Sequence, residues 1–358
     1  MWNRGPAFDP PEVPLDGDRR WILRMAFGPE DSFREGRPSD RRPSETAPGA
    51  HLAGEIETLG LGCRIGSRFP KEHLSEIFGE ASRTLVRARR EAAIRETLAE
   101  ETLERIAERV RPAEIAIVAL KGVALLAGGW IEPGGRGLGD VDLLVREEEA
   151  PLVSTALEEI GYEPLAKAEG AYHHHLPPLM HPTLSPVELH TRVPGVRVGG
   201  EPASATRMID GGLTRGSSLG APVLLPVPPL LAAHAVAHTL YQERYLPNLP
   251  GFFRTIGDLL DLAGGEVPRS LVDAASPYLT SSLTPLELEG VRKLAAALSR
   301  GEIPEEGSAG RRLLDHELAL AEDPEYRRTF RGRRALHALK MGGPGKLVRR
   351  ILWAIRGR

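Results

Sequence analysis

The sequence has 358 residues, a formal net charge of −3 at pH 7 and a single cysteine, Cys63, which excludes an internal disulfide framework and a cluster of thiolate metal ligands. The length exceeds that of one usual compact domain, so we expect a core with one or two accessory regions. Apolar runs such as 115–120 are far shorter than the roughly 20 residues that span a bilayer, and residues 1–20 lack an apolar signal core, which together predict a soluble, cytoplasmic protein without a transmembrane segment.

The amino-terminal part of the chain changes in character near residue 50. Residues 1–50 are rich in Pro, Gly, Arg and acidic residues and contain only one short apolar patch, 21–27, so we predict a largely flexible segment. Residues 80–110 contain neither Gly nor Pro and place apolar residues at helical spacing. This pattern predicts a long helix, broken once, within an N-terminal helical region over residues 51–110.

Residues 111–205 carry the pattern of a small mixed sheet. The run 114–120 is short, apolar and rich in β-branched residues, which is typical of a buried strand. Further strands are predicted at 140–145 and 186–193, and the intervening helices at 123–130 and 147–160. The predicted class is therefore α+β, with a small mixed-sheet core, an N-terminal helical segment and an α-helical C-terminal region.

The C-terminal region, residues 206–358, begins with a Gly-rich stretch and one short strand at 222–225. Pro228-Pro229 then gives a signal for the start of a helix, and helical patterns follow. On one mostly apolar helix of this region, we expect Asp258 and Asp261 to pair with Arg254 or to cap a turn.

The carboxyl tail, Tyr326–Arg358, contains eleven Lys or Arg residues and no Asp or Glu. Its last segment, 346–356, places apolar residues near one face of a helix. A basic amphipathic helix can contact RNA or an anionic surface, although it more often packs its apolar face on its own domain.

The chemistry of the sequence is concentrated in Asp140-Val141-Asp142. Residues i and i+2 of a strand point to the same face, so both carboxylates project together. Glu188, on the alternating strand 186–193, supplies a third carboxylate, because its neighbours Val187 and Leu189 face the other way. Oxygen ligands of this kind suit Mg²⁺ or Mn²⁺, and two such ions clamp the attacking and leaving oxygens of a displacement at phosphorus. A pair of aspartates on a strand is also common without any metal.

Several short motifs follow one another in order along residues 85–270. They are Leu120-Lys121-Gly122, Arg136, Asp140-Val141-Asp142-Leu143-Leu144-Val145, Gly161-Tyr162, Val187-Glu188-Leu189-His190, His234 with His238, Arg254, and Asp258-Leu259-Leu260. In this order and spacing they resemble the bacterial nucleotidyltransferase-like family of the polymerase β superfamily. The resemblance implies a nucleotidyltransferase core with divalent metal at Asp140, Asp142 and Glu188. It also implies transfer of a nucleotidyl group from an NTP such as ATP to an unidentified acceptor, which is a small molecule, a protein or RNA.

The nucleotide-binding residues implied by this resemblance are Lys121, Gly122 and Arg136. Gly122 allows close backbone approach to the triphosphate at the start of a helix, and the two cations neutralise phosphate oxygens. The superfamily usually has Ser or Gly after this glycine, whereas this chain has Val123. The alternatives are that Lys121 is solvated and that Arg136 pairs with an acid of the core.

The histidines offer a rival interpretation. His173-His174-His175 and His181 form a cluster, and neutral imidazole binds transition metals. Three consecutive residues of a strand cannot all face one ion, however, and Pro177-Pro178 interrupts the segment. A His-rich metallohydrolase is therefore the weakest of three hypotheses, behind the transferase and a catalytically silent nucleotide-binding or partner-binding module with the same fold.

Three further histidines lie within the motifs. His190 shares a strand face with Glu188 and either orients it, acts as a base or is a packed, hydrogen-bonded core residue, of which the last is the commonest. His234 and His238 lie one helical turn apart, but no Glu stands between them as in the zinc-protease pattern. We expect this pair to pack beside the active-site cleft.

Overall fold

The computed structural model describes residues 10–29, 49–165, 176–218, 220, 222–242, 248–264, 268–280, 283 and 285–330. The described residues form an α+β fold in which a seven-stranded mixed sheet shares its core with helices from both ends of the chain. The predicted fold class is confirmed. Among these residues, no helix combines the length and the apolar character needed to cross a membrane. The region boundaries at residues 50, 110 and 205 stay a prediction.

Helices of the amino-terminal part precede the sheet. Their bounds are α1 Gly17–Phe27, α2 Gly49–Leu59, α3 Gly62–Arg68, α4 Lys71–Phe78 and α5 Ser82–Val110. Helix α5 is continuous over 29 residues, so the predicted break does not occur inside it. The irregularity lies just before the helix, in the short 3₁₀ turn Gly79–Ala81, because Gly79 adopts a φ of 53° there.

Helix α1 orders part of the segment that composition predicts to be largely flexible. Asp16 caps the helix by accepting the backbone N–H of Arg19 at 2.8 Å. The ring of Trp21 packs edge-to-face on Phe78 of α4, with centroids 4.9 Å apart. Part of this segment is therefore helical, because its short apolar patch finds a complementary surface on the following helices. Residues 1–9 and 30–48 lie outside the described residues.

The strands of the sheet are β1 Ile117–Ala119, β2 Val141–Leu144, β3 Glu163–Pro164, β4 Leu179–Met180, β5 Val187–His190, β8 Thr214–Gly216 and β9 Val223–Pro226. Their order across the sheet is β3-β4-β5-β2-β1-β9-β8. A separate two-stranded ladder pairs β6 Val193–Val198 with β7 Glu201–Ala203. The central strand β2 runs parallel to β5 and antiparallel to β1. The start of β2 therefore lies beside the end of β1, at the edge where the acidic motif occurs.

The remaining helices cover the sheet and build the C-terminal region. They are α6 Lys121–Ala127, α7 Ala150–Glu159, α8 Ala205–Asp210, α9 Pro228–Ala237, α10 Leu249–Ala263, α11 Pro268–Ala275, α12 Pro285–Ser299 and α13 Ala309–Glu322. Helix α6 begins directly after β1. Helix α9 begins shortly after β9, at the predicted start signal Pro228-Pro229. Both helices thus stand at the same edge of the sheet as the acidic motif.

Helices α12 and α13 approach so closely at Gly310 that a side chain there is expected to destabilise the fold. A Cβ at this position would lie 2.8 Å from the backbone nitrogen of Leu294, which cannot move without moving its helix. We expect Gly310→Ala to lower the free energy of unfolding by about 1–3 kcal/mol in chemical denaturation. Gly54→Ala is the matched control, since nothing lies within 4 Å of its Cβ, and it should raise stability by about 0.5–1 kcal/mol. Equal effects of both substitutions would contradict this packing argument.

Candidate active site

The acidic centre is assembled by the parallel pairing of β2 and β5. In this register Asp142 lies directly beside Glu188, and His190 follows two residues later on the same strand. Ligand atoms of Asp142, Glu188 and His190 all lie within 4.8 Å of one another. Asp140 precedes β2 at the position two residues before Asp142 and interacts electrostatically with this group. The structure therefore brings together the three acids that the sequence analysis singled out.

Lys121 faces the acidic centre from the start of α6. Its ammonium Nζ lies 2.7 Å from Asp142 Oδ1, so the alternative in which Lys121 is solvated is wrong. The backbone N–H of Leu120, directly after β1, donates to the Asp142 carbonyl at 2.9 Å, which holds the start of α6 beside Asp142. Lys121 has a φ of 47°, a left-handed conformation that is unfavourable for a residue with a Cβ. This backbone strain at Lys121 therefore lies at the acidic centre itself.

His190 binds the same carboxylate oxygen as Lys121. Its Nε2 lies 2.8 Å from Asp142 Oδ1 and 3.6 Å from Glu188 Oε2. Burial lowers the pKa of His190, but the hydrogen bonds to the two carboxylates outweigh it and raise the pKa above the ordinary value. The expected packed, hydrogen-bonded histidine is confirmed, and its partner, which the sequence did not identify, is Asp142.

The pKa values of the two aspartates shift in opposite directions. Burial alone would raise the pKa of Asp142, but the Lys121 ammonium and the His190 hydrogen bond hold it well below its usual range. For Asp140, burial and the neighbouring Asp142 carboxylate raise the pKa from 3.8 to about 6. Asp142 is thus a fixed anion, whereas Asp140 carries a charge that the protein disfavours without an additional cation.

This disfavoured charge predicts a stability gain when Asp140 is made neutral. The folded state binds the Asp140 proton more tightly than the unfolded state, so its stability falls as pH rises from about 4 to about 6 and stays lowered above that range. Asp140→Asn should therefore raise the free energy of unfolding of the metal-free protein at pH 7.5 by up to about 3 kcal/mol. Chemical denaturation with a chelator at pH 7.5 and pH 4 measures this difference. The prediction is contradicted if the variant is no more stable than wild type at pH 7.5, or if the same difference in unfolding free energy persists at pH 4. Asp210→Asn, which changes an exposed acid, is the control.

Arg136 lies beside the site but is held by a different acid. Its Nε and Nη2 donate to the two oxygens of Asp258 at 2.7 and 3.0 Å, and both side chains are largely buried. The alternative in which Arg136 pairs with a core acid is therefore what the structure has. The guanidinium packs on Gly122, where any Cβ would overlap it. Gly122 is thus needed for the close approach of Arg136 to the start of α6.

A cleft of about 350 Å³ opens over the acidic centre. One wall contains Lys121, Gly122, Asp140, Asp142 and Glu188, and the opposite wall comes from the C-terminal helices. The residues of the opposite wall that carry polar side chains are His238, Asn248, Arg254, Thr255 and Asp258. Asn248 and Thr255 reach the cleft only through the packing of α10 against the sheet, so no local sequence pattern identifies them.

The remaining histidines occupy different environments. His234 and His238 pack ring edge to ring face, with centroids 6.4 Å apart, and burial lowers the pKa of both, that of His238 to about 4. Their expected place beside the cleft is confirmed for His238. His181 Nδ1 accepts the backbone N–H groups of Thr183 and Leu184 at 3.1 and 3.0 Å, which occupies it in a local turn. Residues 173–175 lie outside the described residues.

Asp261 also differs from expectation. It forms a two-pronged ion pair with Arg64, with both distances 3.0 Å. Arg136 holds Asp258 and Arg64 holds Asp261, and neither arginine was named as a partner from the sequence. These partners lie 122 and 197 residues away in the chain, a separation at which no local pattern links them.

The mixed sheet, its edge of strand-borne carboxylates and the lysine-glycine helix start above them are features of a nucleotidyltransferase class of protein. A family model described as an uncharacterised nucleotidyltransferase matches residues 56–263, which is more than half of the chain. The chain belongs to this family. The resemblance inferred from the motifs is thereby confirmed. No curated protein and no solved structure matches the chain.

Proposed function

We propose that the protein is a metal-dependent nucleotidyltransferase that moves a nucleotidyl group from an NTP to an acceptor. The observation that carries this proposal is the register of β2 and β5, which places the carboxylates of Asp142 and Glu188 side by side at the floor of a cleft. Such a pair is electrostatically unfavourable unless cations neutralise it. Membership of a nucleotidyltransferase family supports the same chemistry.

The donor set fits a divalent cation. Asp140, Asp142 and Glu188 would hold Mg²⁺ or Mn²⁺ through oxygen, which these ions prefer. The raised pKa of Asp140 points the same way, since a bound cation stabilises its charged form. A bound metal would neutralise charge on the phosphate oxygens as the bond from α-phosphorus to the acceptor oxygen forms and the bond to pyrophosphate breaks.

Other residues of this chain bind the phosphates of the NTP and orient the carboxylate of Asp142. Lys121 and the backbone at Gly122 bind phosphate oxygens of the NTP. His190 holds the Asp142 carboxylate in one orientation through its 2.8 Å hydrogen bond, a role that outer-shell partners commonly have around metal ligands. Arg136, held in place by Asp258, adds positive potential beside the phosphates without leaving its partner. Protein positioning thus provides most of the catalysis.

The test is calorimetric binding of ATP, GTP, CTP and UTP with and without Mg²⁺. Wild type should bind at least one NTP only with metal, and the Asp140→Asn/Asp142→Asn variant should lose this binding. Glu163→Gln/Glu201→Gln, which changes two exposed acids outside the cleft, serves as the control and should bind as wild type. If folded wild type binds no NTP with Mg²⁺ or Mn²⁺, the proposal is wrong. The partner-binding form of the silent-module hypothesis, consistent with Val123 after Gly122, then takes its place.

A further inference from the structure

A second cavity, of about 280 Å³, adjoins the cleft that contains the acidic centre. Its lining comes from the chain around Cys63, from the middle of α5, from the glycine-rich connection before β2 and from α10. The two cavities share Arg136, Arg254 and Asp258. The buried Arg136–Asp258 ion pair thus lines both cavities where they adjoin. We call this second cavity the side pocket.

The walls of the side pocket are fixed by ion pairs. Arg136 with Asp258 and Arg64 with Asp261 each form two hydrogen bonds of 2.7–3.0 Å, and these four side chains are at most 22% exposed. Paired guanidinium and carboxylate groups of this geometry are rigid compared with single exposed charges. The pocket is therefore a built cavity rather than a gap between mobile side chains.

Two charged groups on the α5 side of the pocket have no partner among the described residues. Glu91 and Arg95 are both exposed, stand one helical turn apart and have opposite charges. The lining combines these charged groups with apolar surface, which includes Ala88 and Phe253. A cavity of this size is near the lower end of small-molecule sites, and its surface favours a ligand that carries charges of both signs.

We propose that the side pocket binds the acceptor, and that the acceptor is a small zwitterionic molecule with a hydroxyl group rather than RNA or a protein. The inference rests on the proposed function, because a transferase needs a second substrate beside its NTP. The acceptor hydroxyl oxygen reaches the α-phosphorus past the Arg136–Asp258 pair, at the boundary where the two cavities adjoin, and forms the new bond there. Its proton leaves to solvent, and pyrophosphate departs from the NTP.

Cys63 provides a specific reporter, since it lines the side pocket and is the only cysteine of the chain. Its alkylation by iodoacetamide is to be timed with serine, threonine and a serine-containing dipeptide as zwitterionic probes, and with glycerol and a short RNA as comparators. A zwitterionic probe at ten times its dissociation constant should slow alkylation about tenfold. Glu91→Gln and Arg95→Gln should each weaken this protection about threefold, as expected for exposed charge pairs. Glu108→Gln and Arg90→Gln, exposed changes on α5 outside the pocket, should leave it unchanged.

Transfer is then measured with α-labelled NTP and the protecting probe, before and after Cys63 is blocked with a bulky maleimide. Blocking should abolish labelling of the probe and leave metal-dependent NTP binding intact, and Cys63→Ala should be insensitive to the reagent. The inference is overturned if no zwitterionic probe protects Cys63, if glycerol or RNA protects equally well, or if blocked protein transfers normally. Failure of the unmodified protein to bind NTP would instead contradict the proposed function, which the alkylation assay does not require.

Discussion

Asp142→Asn is expected to abolish metal-dependent NTP binding and to lower the free energy of unfolding by about 3 kcal/mol, because it removes one partner of a largely buried charge pair. The carboxylate is 3% exposed and accepts from both Lys121 Nζ and His190 Nε2 at one oxygen. The amide that replaces it offers no charge to either. Loss of a proposed metal ligand should reduce binding by more than about 100-fold, since even outer-shell partners of such ligands contribute 10–100-fold.

A second substitution should restore the stability that Asp142→Asn loses. In Asp142→Asn the ammonium of Lys121 stays in a partly buried position without its counterion, so adding Lys121→Met should recover most of the lost stability. It should not recover NTP binding, because the double variant still lacks the carboxylate. Chemical denaturation and calorimetry of wild type, both single variants and the double variant complete the cycle. A double variant as unstable as Asp142→Asn would show that the loss does not come from the unpaired ammonium.

The sequence predicted the acidic centre because the relevant information is local. Alternation along a strand decides which face Asp140, Asp142 and Glu188 occupy, and this requires no knowledge of distant residues. The pairing of the two strands is less local, but apolar residues at Val187 and Leu189 leave Glu188 on the opposite face, and the register then brings it beside Asp142. Pattern and site therefore agree where the chemistry is carried by regular strands.

The rest of the site depends on packing between distant segments. Arg136 and Asp258 both belong to the motifs, but nothing in the sequence links one to the other. Their ion pair forms because α10 docks beside the connection before β2. The same holds for Arg64 with Asp261 and for the side pocket that these pairs frame. Helix α1 was missed for a related reason, since a short apolar patch has no stable structure alone and gains it from contacts with α4 and α10.

The ammonium of Lys121 lies at the acidic centre, where a metal ion is expected, and it affects how tightly a metal ion binds there. Its ammonium is 2.7 Å from Asp142 and interacts electrostatically with Asp140 and Glu188, so it neutralises part of the charge that would attract a metal ion. The electrostatic attraction of these acids raises the pKa of Lys121 against the effect of burial, so it stays charged at neutral pH. A metal ion that binds the free protein must therefore compete with Lys121 for Asp142.

Lys121→Met is expected to change metal and nucleotide affinity in opposite directions. Mn²⁺ alone should bind the variant at least about tenfold more tightly than wild type, a difference of about 1.4 kcal/mol, because the competing ammonium is gone. NTP in the presence of Mn²⁺ should bind more weakly, because the same ammonium contacts phosphate once the metal holds Asp142. Calorimetry with Mn²⁺ alone and then with NTP measures both, and Lys293→Met, at an exposed lysine of α12, should change neither. Weaker Mn²⁺ binding by Lys121→Met would mean that Lys121 orients Asp142 for the metal instead of competing with it.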